Sequence, residues 1–171
     1  MEKMTAFFVV ILMAFVGVSA HAEEGRGSVG AGTYVLTVVP SVGATRTFAG
    51  SALVASYDFS NLISVAGHYY ALTDKDFSVI EMNGFDVMLR AGKNDLGFNY
   101  FGALGYYNET FSTPLTNKAY TGTFVGYGIG YSWDNINVTW EGGFRTSGSE
   151  DPAPGVSTIA TTGALNVSYR F

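Results

Sequence analysis

Cysteine is absent from all 171 residues. That excludes a disulfide framework, thiolate chemistry and any zinc site built on cysteine. Histidine is almost absent too, with His21 and His68 the only two. Charge is scarce: Asp, Glu, Lys and Arg make up 13% of the chain, about half the ~25% share of a soluble domain. The net charge of −5 comes without a basic cluster, so nucleic acid is not an expected partner. Beyond residue 22 no apolar run reaches the roughly 18 residues that a membrane-spanning helix needs.

Apolar and aromatic residues are plentiful. Aromatics are 15% of the chain, with 11 tyrosines, and there are 22 glycines. At the N-terminus Lys3 precedes the apolar run Ala6–Val18, and small residues follow up to Ala20-His21-Ala22. A charged start, an apolar stretch and an A-x-A site stand in the order of a secretory signal peptide. The run is too short for a bilayer span of roughly 20 residues. Residues 1–22 therefore read as a signal peptide cleaved after Ala22, with cleavage after Ala20 as the nearest variant. Residues 23–171 read as one barrel domain.

That domain divides into eight strand-like segments. They cover about Gly30–Val39, Ala49–Phe59, Leu62–Leu72, a fourth ending at Ala91, Leu96–Tyr107, Tyr120–Trp133, Ile136–Arg145 and Thr158–Phe171. Each offers the roughly 9–11 residues of a tilted membrane strand. Short turns sit at Ser60-Asn61, Gly92–Asp95 and Asp134-Asn135, where Asn, Asp and Gly suit tight hairpins. Longer connections span Pro40–Phe48, Asn108–Ala119 and Thr146–Ser157. The one near Thr73–Asp76 is intermediate and extends as far as Asn83-Gly84 if the fourth strand starts late. Short turns on one side and long loops on the other are the pattern of outer-membrane barrels.

Alternation within the segments separates two faces. In the seventh, Ile136, Val138, Trp140, Gly142 and Phe144 oppose Asn137, Thr139, Glu141, Gly143 and Arg145. In the last, Ile159, Leu165, Val167, Tyr169 and Phe171 oppose Ala164, Asn166, Ser168 and Arg170. A soluble lipocalin-like or avidin-like barrel has the same alternation with its greasy face inward. The aromatics argue for the other orientation. Tyr57, Phe59, Tyr131, Trp133, Tyr169 and Phe171 cluster at the short-turn ends, and Tyr69, Tyr106 and Phe144 towards the long loops. Two aromatic belts around an aliphatic band are what membrane interfaces select. The expected fold is an all-β, eight-stranded antiparallel transmembrane barrel, with outer-membrane lipid and lipopolysaccharide as its surroundings.

The chain stops at Ser168-Tyr169-Arg170-Phe171. This tail resembles the terminal strand of small outer-membrane barrels of the OmpX/Ail type. The resemblance implies that Tyr169 and Phe171 signal to the barrel-assembly machinery during biogenesis. It also implies a location in the outer membrane of a Gram-negative bacterium and a structural or surface-interaction role, with an extracellular partner at the long loops. Arg46, Phe111, Leu115, Lys118, Glu150 and Asp151 are the loop side chains on offer.

Register is least determined in the fourth strand. Phe85, Val87, Leu89 and Ala91 face lipid if Asp86, Met88 and Arg90 face inward. The same phase turns Glu81 outward, which is expensive at membrane depth. Either Glu81 lies above the bilayer, or a bulge at Asn83-Gly84 resets the phase.

Inward polar residues form the candidate site. Asp86, Arg90, Glu141, Arg145, Asn99 and Asn166 are expected in the lumen, together with His68, Asn137 and Arg170. They either fill a narrow lumen and satisfy one another or line a solute channel. Because unpaired buried charge is costly, the filled lumen is the expected outcome, with Glu141 meeting Arg90 or Arg145 meeting Asp86 across the barrel. A lipid-A-modifying enzyme is a third class. It needs a nucleophile beside a base, and Ser64 lies four residues from His68, roughly 13 Å along a strand. Neither catalysis nor a metal or cofactor is expected. Gly126, Gly128 and Gly130 resemble a phosphate loop only superficially, since no helix follows. Their expected role is to leave room on the inner face for bulky neighbours. The glycosylation-like triplets at Asn108, Asn137 and Asn166 are set aside, two of them falling inside strand segments.

Overall fold

The computed structural model describes residues 26–40, 43–145 and 158–171. The signal-peptide reading and the connection Thr146–Ser157, with Glu150 and Asp151, lie outside the described residues. Eight strands follow one another: β1 (Arg26–Pro40), β2 (Arg46–Asp58), β3 (Ile63–Asp74), β4 (Glu81–Lys93), β5 (Gly97–Ser112), β6 (Asn117–Ser132), β7 (Ile136–Arg145) and β8 (Thr158–Arg170). Each pairs antiparallel with its neighbour, and β1 pairs with β8, so the sheet closes. At the seam the Gly27 amide donates to the Phe171 carbonyl at 3.1 Å, and the Phe171 amide returns the bond at 2.9 Å. Closure leaves no sheet edge, the condition for carrying backbone through hydrocarbon.

The faces settle which kind of barrel this is. Leu53, Leu104, Val125, Ile129, Trp140, Phe144 and Leu165 are exposed on the outer wall. Asp86, Arg90, Glu141, Arg145, His68 and Asn166 are buried inside. A soluble barrel inverts this order, because water rewards buried apolar area. A greasy outside and a charged inside suit a barrel whose outer solvent is lipid.

β4 carries no bulge. Its ladder with β3 runs unbroken from Thr73↔Glu81 to Ile63↔Ala91. Glu81 therefore stays outward, at the long-loop end of the strand, and the reset at Asn83-Gly84 is not made. The β3–β4 connection stops at Ile80, short of Asn83-Gly84. The Asp74 carboxylate shapes it by accepting from the amides of Asp76 at 2.9 Å and Phe77 at 3.1 Å.

The expected long loop Asn108–Ala119 is instead a continuation of the β5–β6 hairpin. Pairing runs to Ser112↔Asn117. Only Thr113–Thr116 turns, with the Thr113 hydroxyl accepting from the Thr116 amide at 3.1 Å. The polar composition misled the reading: Asn108, Thr110 and Thr121 lie on the outer phase of paired strands. Phe111 and Lys118 thus belong to strands, Arg46 begins β2, and Leu115 is left 96% exposed at the hairpin tip.

Glycine and aromatic residues alternate across the inner face of β5 and β6. Phe101 faces Gly128, Phe124 faces Gly105, and Tyr107 faces Gly122. A Cβ on Gly128 would come within 2.3 Å of the Phe101 ring. Each ring lies over a glycine, which covers bare backbone and fills the lumen.

Candidate functional site

The lumen is crossed by a chain of buried ionisable groups. Arg90 on β4 donates to Glu141 on β7 at 2.6 Å. Arg145, the last residue of β7, lies 3.7 Å from Asp86 on β4. Its nearer carboxylate is Glu109 on β5, which it also hydrogen-bonds. Between these pairs sits His68 on β3. Its Nδ1 is 2.8 Å from Asp86, and its Nε2 is 3.6 Å from Glu141 and 3.1 Å from the Asn166 amide nitrogen. Glu109, Arg145, Asp86, His68, Glu141 and Arg90 thus form one connected series through the middle of the barrel.

Two tyrosines hold the upper part of this series. Tyr34 and Tyr70 stack with ring centroids 4.4 Å apart. Arg145 donates to both hydroxyls, at 2.7 Å and 3.0 Å. The Tyr34 hydroxyl donates in turn to Asp86 at 2.7 Å, and that of Tyr70 to Glu109 at 2.9 Å. The Arg145 guanidinium also lies 4.4 Å from the Tyr107 ring centre, and Arg90 lies 4.6 Å from that of Phe101. Three carboxylates face two guanidiniums and one imidazole, so charge balances when the imidazole carries its proton. Burying charge at this density is costly unless pairing and further hydrogen bonds offset it; the Nε atoms of Arg90 and Arg145 are left without one.

Towards the short turns the lining becomes small and polar. Asn99 donates to Ser132 at 2.6 Å, and Ser28 and Ser56 share a bond of 2.7 Å. Arg170 reaches Asp58 at 3.1 Å and the Asn94 carbonyl at 3.0 Å. Two cavities of about 20 Å³ each lie in the lumen, one beside His68 and one beside Arg170. That is room for about one water molecule in each.

Towards the long loops the lining turns apolar. Tyr34, Leu36, Phe48, Ala52, Tyr70, Leu72 and Met82 pack together, with Val38, Ile80 and Phe111 against them. Leu36 is 0% exposed, and Phe48 meets Phe111 edge-on at 6.2 Å between β2 and β5.

The six lumen residues expected from alternation, Asp86, Arg90, Asn99, Glu141, Arg145 and Asn166, all point inward and are buried. Asn99 stands apart from the central series, in the small polar layer. Glu109, Tyr34 and Tyr70 were missed. Glu109 falls within the expected loop Asn108–Ala119, yet it continues the phase of Asn99, Phe101 and Tyr107. Tyr70 lies on the polar phase of β3 with Ser64, His68 and Asp74, which distinguishes it from belt aromatics, whereas Tyr34 shares its phase of β1 with Gly30, Gly32 and Leu36 and carries no such signal. Ser64 and His68 share the inner face but not a bond, since the Ser64 hydroxyl accepts from the Asn94 amide at 3.1 Å.

Among the belt residues, Phe59, Tyr106, Tyr131, Trp133, Phe144, Tyr169 and Phe171 are exposed on the outer wall. Tyr69 is half-buried. Tyr57 departs from expectation. It lies on the outward phase of β2 but is only 4% exposed, its ring meeting Phe59 edge-on at 5.2 Å.

A closed eight-stranded antiparallel barrel with an apolar outer wall and a charged, filled lumen defines the class: the fold of small outer-membrane barrels. Solved structures agree. Neisserial surface protein A shares the fold with a TM-score of 0.60 at 13% identity, over 86% of this chain and 98% of its own. The outer membrane protein OprG of Pseudomonas aeruginosa matches at 0.59 and 12%, over 86% and 96%. Ail, the attachment invasion locus protein of Yersinia pestis, matches at 0.57 and 18%, over 86% and 99%. No family model matches the sequence, and neither does any curated protein.

Proposed function

We propose that this protein resides in the outer membrane of a Gram-negative bacterium as a rigid, non-conducting barrel. It acts through the surface at its long-loop end rather than through its lumen. The observation that carries this reading is the filled interior, in which Arg90–Glu141 and Arg145–Glu109 bridge separate strands and the cavities beside His68 and Arg170 each hold about one water molecule. An ion entering such a lumen must displace paired charges and shed its own water, which is costly in a narrow interior. The fold shared with OprG and Ail supports the location, and the exposed Leu115 at the β5–β6 tip gives the long-loop end an apolar contact point. Among the described residues the enzymatic reading finds no nucleophile bonded to His68, whose ring nitrogens face Asp86, Glu141 and Asn166.

Single-channel recording in planar bilayers tests the proposal. The folded protein is expected to give no discrete conductance steps. Regular steps would replace this reading with a channel. A mass shift in lipid A on expression would replace it with the enzyme.

A further inference from the structure

We propose that the lumen is closed by two independent seals in series, a dry apolar collar and the ion-paired network beneath it. The proposal rests on the non-conducting reading above. It adds that neither layer is needed for closure while the other is intact.

The two layers differ in position and chemistry. The collar is built from Leu36, Phe48, Leu72 and Met82, one from each of β1 to β4, and Phe111 of β5 completes it. Leu36 pairs directly with Phe48, Leu72 with Met82, and Met82 with Phe111. Phe48 itself faces Asp74, and Leu72 faces Gly50, so the two rows join by packing rather than by pairing, and they line the long-loop end over five of the eight strands. The network lies further along the same strands. His68 is four residues from Leu72, and Asp86 four from Met82, each roughly 13 Å along the strand; Glu109, the network's upper end, is nearer, two residues from Phe111 and roughly 7 Å along β5. Tyr34 and Tyr70 separate the layers, with their rings in the collar cluster and their hydroxyls on Arg145.

The layers exclude ions by different physics. The collar side chains offer no polar atom to replace an ion's hydration, and apolar constrictions close by dewetting; the one carboxylate beside them, Asp74 facing Phe48, is held by the Asp76 and Phe77 amides and by Arg46. The network offers polar atoms, but they already bind one another, so an entering ion must break a buried pair. Removing the pair leaves the collar dry. Removing the collar leaves the pairs in place.

Ala52 provides a reporter at the boundary. It faces inward on β2, is buried, and pairs across to Tyr70. The chain has no cysteine, so Ala52→Cys introduces a single thiol. Its reaction with a small charged thiosulfonate reads water access, while bilayer conductance reads ion passage. Three backgrounds are compared: Phe48→Ala with Leu72→Ala, both network pairs removed (Arg90→Ala with Glu141→Ala and Arg145→Ala with Glu109→Ala), and all six together. Heat-modifiable migration on gels verifies folding, and Phe48→Leu alone serves if the larger collar variant does not fold.

The reporter is expected to be protected in the otherwise native barrel. Opening the collar removes that protection without conductance. Removing both network pairs leaves protection and closure intact, and only the combined variant conducts. Conductance from the collar variant alone would show that the network is no seal. Conductance from the network variant alone would show the same of the collar. A reactive thiol in the otherwise native barrel, or a folded combined variant that stays closed, also overturns the proposal. Conductance by the unmodified protein instead defeats the non-conducting reading itself.

Discussion

Arg90 and Glu141 stand on opposite walls of the barrel, on β4 and β7, and meet at 2.6 Å with both side chains buried. Neither strand touches the other through its backbone. The contact exists because eight strands enclose an interior only as wide as the side chains that fill it.

That pair leads to the first prediction. Arg90→Ala strands the Glu141 carboxylate, and Glu141→Ala strands the Arg90 guanidinium. Each single loss is expected to cost about 3–5 kcal/mol, the usual penalty for orphaning one member of a buried pair. The double replacement costs less than the two losses added together. Urea unfolding of the folded barrel in a double-mutant cycle measures the coupling. Strictly additive losses would mean that the two groups do not depend on each other.

Depth on the outer wall gives the second. Trp140 lies mid-strand on β7 and is 45% exposed on the outer face. Trp140→Arg is expected to cost about 2–4 kcal/mol, as for a cation at the bilayer midplane, whereas Trp133→Arg at the short-turn rim costs about 0–1 kcal/mol. Refolding equilibria in lipid vesicles compare the two. Equal costs would argue that the wall does not face a graded hydrocarbon layer.

The third concerns glycine. Gly128→Ala pushes a methyl group into the Phe101 ring, which lies 2.3 Å from the added Cβ. Overpacking of this kind typically costs about 1–3 kcal/mol. Gly102 faces outward with nothing within 4 Å, so Gly102→Ala should change stability by less than about 0.5 kcal/mol, as at an ordinary surface site. Adding Phe101→Leu to Gly128→Ala should recover part of the loss. If Gly102 proves the more sensitive position, the assignment of inner and outer faces on β5 and β6 fails.

Export supplies the fourth. Mass spectrometry of the protein recovered from outer membranes is expected to find a chain beginning at Glu23, or at His21 if cleavage falls earlier. A chain in that fraction still carrying Met1 would rule out the signal-peptide reading.

Alternation alone determined the strand count and the two faces. Successive side chains on a strand point to opposite sides whatever lies beside them, so Trp140 could be placed outside and Glu141 inside without any partner in view. Strand ends were less legible. Composition made Asn108–Ala119 read as a loop, while its phase, carried by Tyr107 and Glu109, ran on unbroken. Which inward groups meet was decided only by the tertiary structure. Partners at one level of the lumen depend on the stagger that accumulates around a closed barrel, and no local pattern encodes that sum. Glu109 therefore became the nearer partner of Arg145, ahead of Asp86. Leu36, Phe48, Leu72 and Met82 lie on the inward phase of four separate strands, and on β3 and β4 they look like exceptions among His68, Asp74, Asp86 and Arg90. Closure brings them to one end of the lumen, and only there do they form a collar.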